Sequence, residues 1–328
     1  MQLAEFFTIQ PDRLWKIAKQ LGVDYAVSGL AWDEKLEKPW DLMPLIRLKQ
    51  RFADAGIDLV VIESMPPSNE IKLGTAGRDR EIEQFQQFIV NMGAAGIKVL
   101  CYNFMAQFNW FRTSTTTRTR GGALVTTYDH SLMKGAPLTE AGIVTEDQLW
   151  ENLHYFMEQI VPVAEKAGVK LALHPDDPPI TPIRGVSRIL RSANALQRAI
   201  DLVPSPVNGI TLCQGTLATA GEHIPSVIRH FARQDKIFFV HFRDVLGTPE
   251  KFEETFHDAG KTDMLEAMHT YYEVGFRGPV RPDHVPTLEG EDNSNPGYEL
   301  LGRLHGIGYM AGLMEAAEAR LKEQGKQT

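Results

Sequence analysis

Cysteine is almost missing from these 328 residues: only Cys101 and Cys213 occur, far apart in the chain, and two such residues make no disulfide framework. No apolar run approaches the roughly 18 residues that a membrane-crossing helix needs. The opening stretch MQLAEFFTIQPDRLW lacks a basic region followed by an apolar one, so no signal peptide is expected and the cytoplasm is the expected compartment. Positive charge is in deficit, with 34 Lys and Arg against 42 Asp and Glu and a net charge of −8. That balance argues against a nucleic-acid backbone or an anionic membrane as partner. Glycine-rich phosphate loops are missing too, since neither GxGxxG nor GxxxxGK(S/T) follows any apolar run. What remains is 43% hydrophobic and 23% charged, an ordinary globular composition. A chain this long buries about 70% of its unfolded surface, so no structural staple is required.

The regularity that is present is a helix, a glycine and a short apolar strand. Ala55-Gly56-Ile57, Ala95-Gly96-Ile97 and Ala167-Gly168-Val169 repeat nearly the same junction, with variants at Gly22 and Gly275. A glycine just past a helix end adopts the left-handed conformation without a Cβ penalty and turns the chain into a strand. Reading outward from these junctions gives eight strands: 3–7, 25–30, 58–62, 98–103, 170–174, 209–212, 237–242 and 279–283. Runs such as DLVVI and KLALH suit a parallel sheet buried on both faces. Helical patterns alternate with them at 11–20, 40–55, 80–94, 148–167, 187–202, 224–233, 264–273 and 298–320. Eight alternations predict a closed (β/α)8 TIM barrel in the α/β class, one domain over residues 1–328, in preference to an open doubly wound sheet. About 105–146 is a long insertion after the fourth strand, expected to be a lid over the barrel mouth. The acidic stretch 286–296 reads as a solvated loop, and about 322–328 as a frayed tail.

The chemistry lies in the residues that close the strands. The fifth ends in His174 (HPDDPP), the sixth in Cys213 (TLCQGT), the seventh in His241 (VHFRD) and the eighth in Asp283 (RPDH). Each alone has an ordinary structural explanation. Four consecutive strand ends around one barrel rim bring imidazole, thiolate and carboxylate together, a competent set for a divalent transition metal. Cys101, inside the fourth strand, reads as a packed thiol. His284, in a proline-bounded turn beside Asp283, suits proton transfer, and Tyr298 after Asn295-Pro296-Gly297 suits an acid. Arg112, beside Trp110, offers the fork that holds a substrate carboxylate. Asn103 at the fourth strand's end and Trp110 are grouped with it as substrate contacts. Asp176 and Asp177 either orient a ligand or cap the following helix.

Taken in order, CYNFM, WFRT, HPDDPP, CQGT, VHFRD, RPDH and NPGY…GRL resemble the mannonate dehydratase family of the xylose isomerase-like barrels, over most of the chain. The resemblance implies metal-dependent dehydration of D-mannonate to 2-dehydro-3-deoxy-D-gluconate. It implies Mn2+ before Fe2+, Co2+ or Zn2+, held by His174, Cys213, His241 and Asp283. Proton transfer falls on Asp283, His284 and Tyr298, an active-site arginine on Arg112, and the assembly is a homodimer or larger. The chain departs from the family where FMPVFDW is usual, with Ala106 and Asn109, and at Val285, where glycine usually follows the Asp-His pair. TSTTTRTRGG departs as well. A related aldonate is therefore an alternative substrate. A sugar isomerase or epimerase on the same barrel, and a binding protein without turnover, are the competing readings. A barrel endonuclease is disfavoured by the acidic charge.

Overall fold

The computed structural model describes residues 1–30, 38–63 and 65–325. Twelve strands are described: β1 (Gln2–Phe7), β2 (Tyr25–Ser28), β3 (Asp58–Ile62), β4 (Val99–Asn103), β5 (Ser114–Arg118), β6 (Leu124–Asp129), β7 (Lys170–His174), β8 (Asn208–Cys213), β9 (Ile237–Phe242), β10 (Val245–Thr248), β11 (Lys251–Glu254) and β12 (Pro279–Pro282). The α-helices are α1 (Arg13–Gln20), α2 (Leu42–Asp54), α3 (Asn69–Leu73), α4 (Arg78–Ala94), α5 (Glu146–Ala167), α6 (Ala193–Leu202), α7 (Gln214–Thr219), α8 (Ile224–Ala232), α9 (Met264–Glu273) and α10 (Leu300–Glu323). Eight strands close a parallel barrel in the order β1-β12-β9-β8-β7-β4-β3-β2, so the predicted (β/α)8 architecture is the observed one.

Local chemistry sets the alternation. Thr145 starts α5 with a capping box, its hydroxyl accepting from the Gln148 amide while the Gln148 side chain reaches back. Gly168 ends the helix at φ 65°, and the parallel junctions at Gly56 and Gly96 have φ of 70° and 72°. Outside the barrel, Trp15 of α1 stacks on Phe52 of α2 at 4.1 Å, and both pack against Phe7 of β1. Inside it, Ala4, Val27, Val61, Val99, Cys101, Ala172, Phe238 and Phe239 fill the lumen. Phe239 stands edge-on beneath His241, with ring centroids 4.8 Å apart.

Several segments differ from the sequence expectation. Residues 105–145 carry β5 and β6, which join β10 and β11 in a four-stranded antiparallel sheet ordered β10-β11-β6-β5. The hairpin β10–β11, directly after barrel strand β9, has no counterpart in the sequence reading. The acidic stretch 286–296 is tied to this sheet rather than only solvated. Thr287 bridges Leu124, and the Asn293 amide donates to the Thr115 carbonyl at 3.0 Å. Helix α6 begins at Ala193, capped by Ser192, because the chain before it is held elsewhere: the amides of Ile189 and Leu190 both donate to Asp176 at 2.8 Å. Helix α10 continues to Glu323, which shortens the expected frayed tail, and residues 326–328 lie outside the described residues.

Candidate active site

Register places the strand-end residues level with one another. Asn103 pairs with His174 across β4–β7, Cys213 with His241 across β8–β9, and His241 with Arg281 across β9–β12. Asp283 follows β12 directly, and Glu63 follows β3 directly. All of them except the fully buried Cys213 line a cavity of about 210 Å³ together with Tyr102, Asn109, Trp110, Asp177, His284 and Tyr298.

His174, Cys213 and His241 bring their ligand atoms within 4.8 Å of one another. His174 Nε2 and His241 Nδ1 face each other at 3.2 Å, while His174 Nδ1–H donates to the Pro175 carbonyl at 2.6 Å. The donor set fits a divalent transition ion: two imidazole nitrogens and a buried thiol converge on one point. Burial pushes the Cys213 thiol up, but Arg243 and His174 pull it well below its ordinary value, towards the thiolate that binds metal. Burial and Arg281 push His241 down, yet Glu63 and Asp283 raise it well above its ordinary value. Positive charge is favoured at this spot.

Asp283 stands beside the cluster rather than within it. Its Oδ2 is 3.6 Å from His241 Nδ1 and 2.9 Å from Arg243 Nε, and its Oδ1 accepts from Arg281 at 2.8 Å and from the Tyr298 hydroxyl at 3.1 Å. Burial would raise its pKa, but His284, Arg281, His241 and Arg243 hold it well below the usual carboxylate range. Burial and Asp283 push the Tyr298 phenol well above its ordinary value, so it stays protonated. His284, at a positive φ of 39°, donates from Nδ1 to Glu254 at 3.0 Å and keeps Nε2 3.7 Å from Asp283 Oδ1. The Trp110 ring packs on it at 4.7 Å.

Arg112 is placed differently from the expectation. Its side chain is 1% exposed and does not line the cavity. It forks onto Asp177 at 2.6 and 3.0 Å, contacts Glu254, and lies 4.8 Å from the Trp110 ring. Two buried carboxylates thus hold its Nη1 and Nη2 in the site wall, while its Nε is left without a partner. Asp177 also takes Arg243 at 2.5 Å and lines the cavity, whereas Asp176 holds backbone, so neither aspartate caps a helix. Asn103 and Trp110 both line the cavity, and the Trp110 indole nitrogen has no protein partner. Of the single-residue departures from the family pattern, Asn109 lines the cavity, while Ala106 and Val285 are 3% exposed and packed away. Cys101 is buried as expected but lies within ligand distance of Glu63 and His241.

Sequence reasoning missed Glu63, Glu254, Arg243 and Arg281. Glu63 carried a signal, being a strand-end carboxylate like Asp283. The others did not, because arginines inside VHFRD and RPDH read as flanking charge.

A TIM barrel with a metal-competent nitrogen and sulfur cluster at its C-terminal rim is the class these observations define. The D-mannonate dehydratase (UxuA) family pattern matches residues 8–144 and 139–324, and the chain belongs to that family. It is 38% identical to the mannonate dehydratase of Thermotoga neapolitana over 91% of this chain and 92% of that one. Mannonate dehydratase 2 of Halalkalibacterium halodurans is 35% identical over 92% and 94%. The crystal structure of mannonate dehydratase from Streptococcus suis serotype 2 superposes with a TM-score of 0.92 at 34% identity, covering 100% of this chain and 95% of that one. An L-ribulose 3-epimerase structure matches at a TM-score of 0.64 and 16% identity, a likeness of fold alone.

Proposed function

We propose that this protein is a hydro-lyase that converts D-mannonate to 2-dehydro-3-deoxy-D-gluconate and water, with Mn2+ as the working cation. The observation that carries the reading is one cavity lined by His174, His241, Asp283, His284 and Tyr298, with the buried Cys213 thiol clustered against the two histidines. The reaction breaks the C2–H and C3–O bonds, and the resulting enol then gives the 2-keto acid. A bound divalent cation supplies Lewis-acid stabilisation for the negative charge that grows on the carboxylate as the C2 proton leaves. His174, Cys213 and His241 would hold it, with Asp283 Oδ2 beside them, 3.6 Å from His241 Nδ1.

The remaining work belongs to side chains. His284 takes the C2 proton at Nε2, because Glu254 fixes its Nδ1–H and Trp110 fixes its plane. Tyr298 gives its phenolic proton to the departing C3 hydroxyl, since burial and Asp283 keep that proton in place at neutral pH. Asn103 and Trp110 line the cavity, Asn103 with a polar side chain for substrate hydroxyls and Trp110 with its ring. Trp110 and Asn109 belong to the insertion, which supports its reading as a cover for the cavity. No helix among the described residues is long and apolar enough to cross a membrane. The free thiol at the site favours a reducing compartment such as the cytosol, and the family reading carries a homodimer or larger assembly.

Proton exchange at C2 in heavy water separates the two roles. His284→Asn is expected to lose C2 exchange and to slow product formation by about 100-fold or more. Tyr298→Phe is expected to lose product formation while exchange continues. Exchange that survives in His284→Asn and vanishes in Tyr298→Phe would reverse the assignment.

A further inference from the structure

His241 faces two ways. Its Nδ1 lies towards His174 and Cys213, and its Nε2, buried and without a hydrogen bond in this geometry, is 3.3 Å from Glu63 Oε1. Glu63 has no place in the chemistry above, yet it is held with care. Arg281 Nε donates to Oε2 at 3.2 Å and Nη2 to Oε1 at 2.9 Å, fixing the carboxylate against the imidazole edge. Glu63, Cys101 and His241 also satisfy the distances of a second donor cluster. A cation there would meet the Arg281 guanidinium already seated on both carboxylate oxygens, so the cluster does not serve as a second metal site.

We propose that Glu63 is a positioning residue for the metal: it accepts Nε2–H of His241 and thereby fixes the tautomer whose free lone pair, on Nδ1, faces the cation. The proposal rests on the reading that His174, Cys213 and His241 hold a divalent ion. A neutral imidazole carries one N–H, so the acceptor at one nitrogen decides which nitrogen can ligate. A carboxylate acceptor also makes the ligating nitrogen more basic. His174 makes the opposite choice, donating from Nδ1 to the Pro175 carbonyl and presenting Nε2. The two histidines therefore ligate through different nitrogens. The two-point salt bridge to Arg281 holds the Glu63 carboxylate in place against the imidazole edge.

Two measurements on the Zn2+-loaded protein test this. Long-range proton–nitrogen NMR of histidine-labelled wild type is expected to show one ligand imidazole protonated at Nδ1 and the other at Nε2. Two ligands both protonated at Nδ1 would overturn the proposal. Chelator competition then gives the Zn2+ affinity of Glu63→Met, which removes the acceptor, and Glu63→Gln, which keeps one. The Met variant is expected to bind about 10- to 100-fold more weakly and the Gln variant within a few-fold of wild type. Equal affinity in all three, or equal loss in both variants, contradicts the tautomer role. Wild type that binds no Zn2+ would instead sink the metal reading itself, a distinct outcome.

Discussion

Lys72 lies on the inner face of the short helix α3 with its ammonium 3.0 Å from the Met105 carbonyl and 3.4 Å from Asn103 Oδ1. Burial pulls its pKa down to about 7, against the partial support of Asp176. An unfolded lysine titrates near about 10.4, so between these values the unfolded chain binds more protons and stability rises with pH. Lys72→Met removes that cost of burial. The variant is expected to melt a few degrees above wild type at pH 7, with the gap narrowing as the pH approaches about 10. Thermal melts across that range check this, and a gap that widens with pH would contradict it. Single residues are also where sequence legibility was most uneven. His174, Cys213 and His241 could be picked out because each closes an apolar strand. Glu63 closes DLVVI in the same way, but a lone carboxylate there reads as a solvated strand end until Arg281 and His241 are seen against it. Arg112 was placed with the substrate because its partners, Asp177 and Glu254, lie 65 and 142 residues further along the chain.

At the scale of elements, the barrel strands were legible because parallel strands covered on both faces are short apolar runs ended by glycine or by a polar rim residue. The four-stranded outer sheet was not. Its strands, such as STTTR and KFEE, are short, polar and only partly buried, so alternation gives little contrast. That sheet nevertheless reaches the chemistry, since β11 ends in Glu254 and Glu254 holds His284. The hairpin geometry depends on Gly247, at φ 118°, where an added Cβ would stand 2.2 Å from the Lys251 carbonyl oxygen. Gly247→Ala must displace β11 and with it Glu254. The expected result is a fall in kcat on the order of 10- to 100-fold with the metal affinity retained. Steady-state kinetics beside a Zn2+ titration measure both, and unchanged kcat would show that the hairpin does not position His284.

Over the whole molecule, the site is a charge balance that the barrel closes upon. Arg112, Arg243 and Arg281 face Glu63, Asp177, Glu254 and Asp283 in one connected set of ion pairs. With Cys213 as thiolate and the histidines neutral, as ligands to a cation must be, these groups leave two negative charges, the complement of a divalent cation. Buried charges so arranged are costly unless paired, which makes the cation part of the design of the site rather than an addition to it. The fold delivers these groups from five barrel strands or their ends, from the insertion after β4 and from the outer hairpin, and no stretch of sequence contains them together. The most direct test is D-mannonate turnover by metal-stripped protein before and after Mn2+ is restored, with Cys213→Ala in parallel and the 2-keto-3-deoxy product followed. The account predicts no product without metal, recovery with Mn2+, and none in the Cys213→Ala protein. Product formed without metal, or formed equally by the variant, would contradict it.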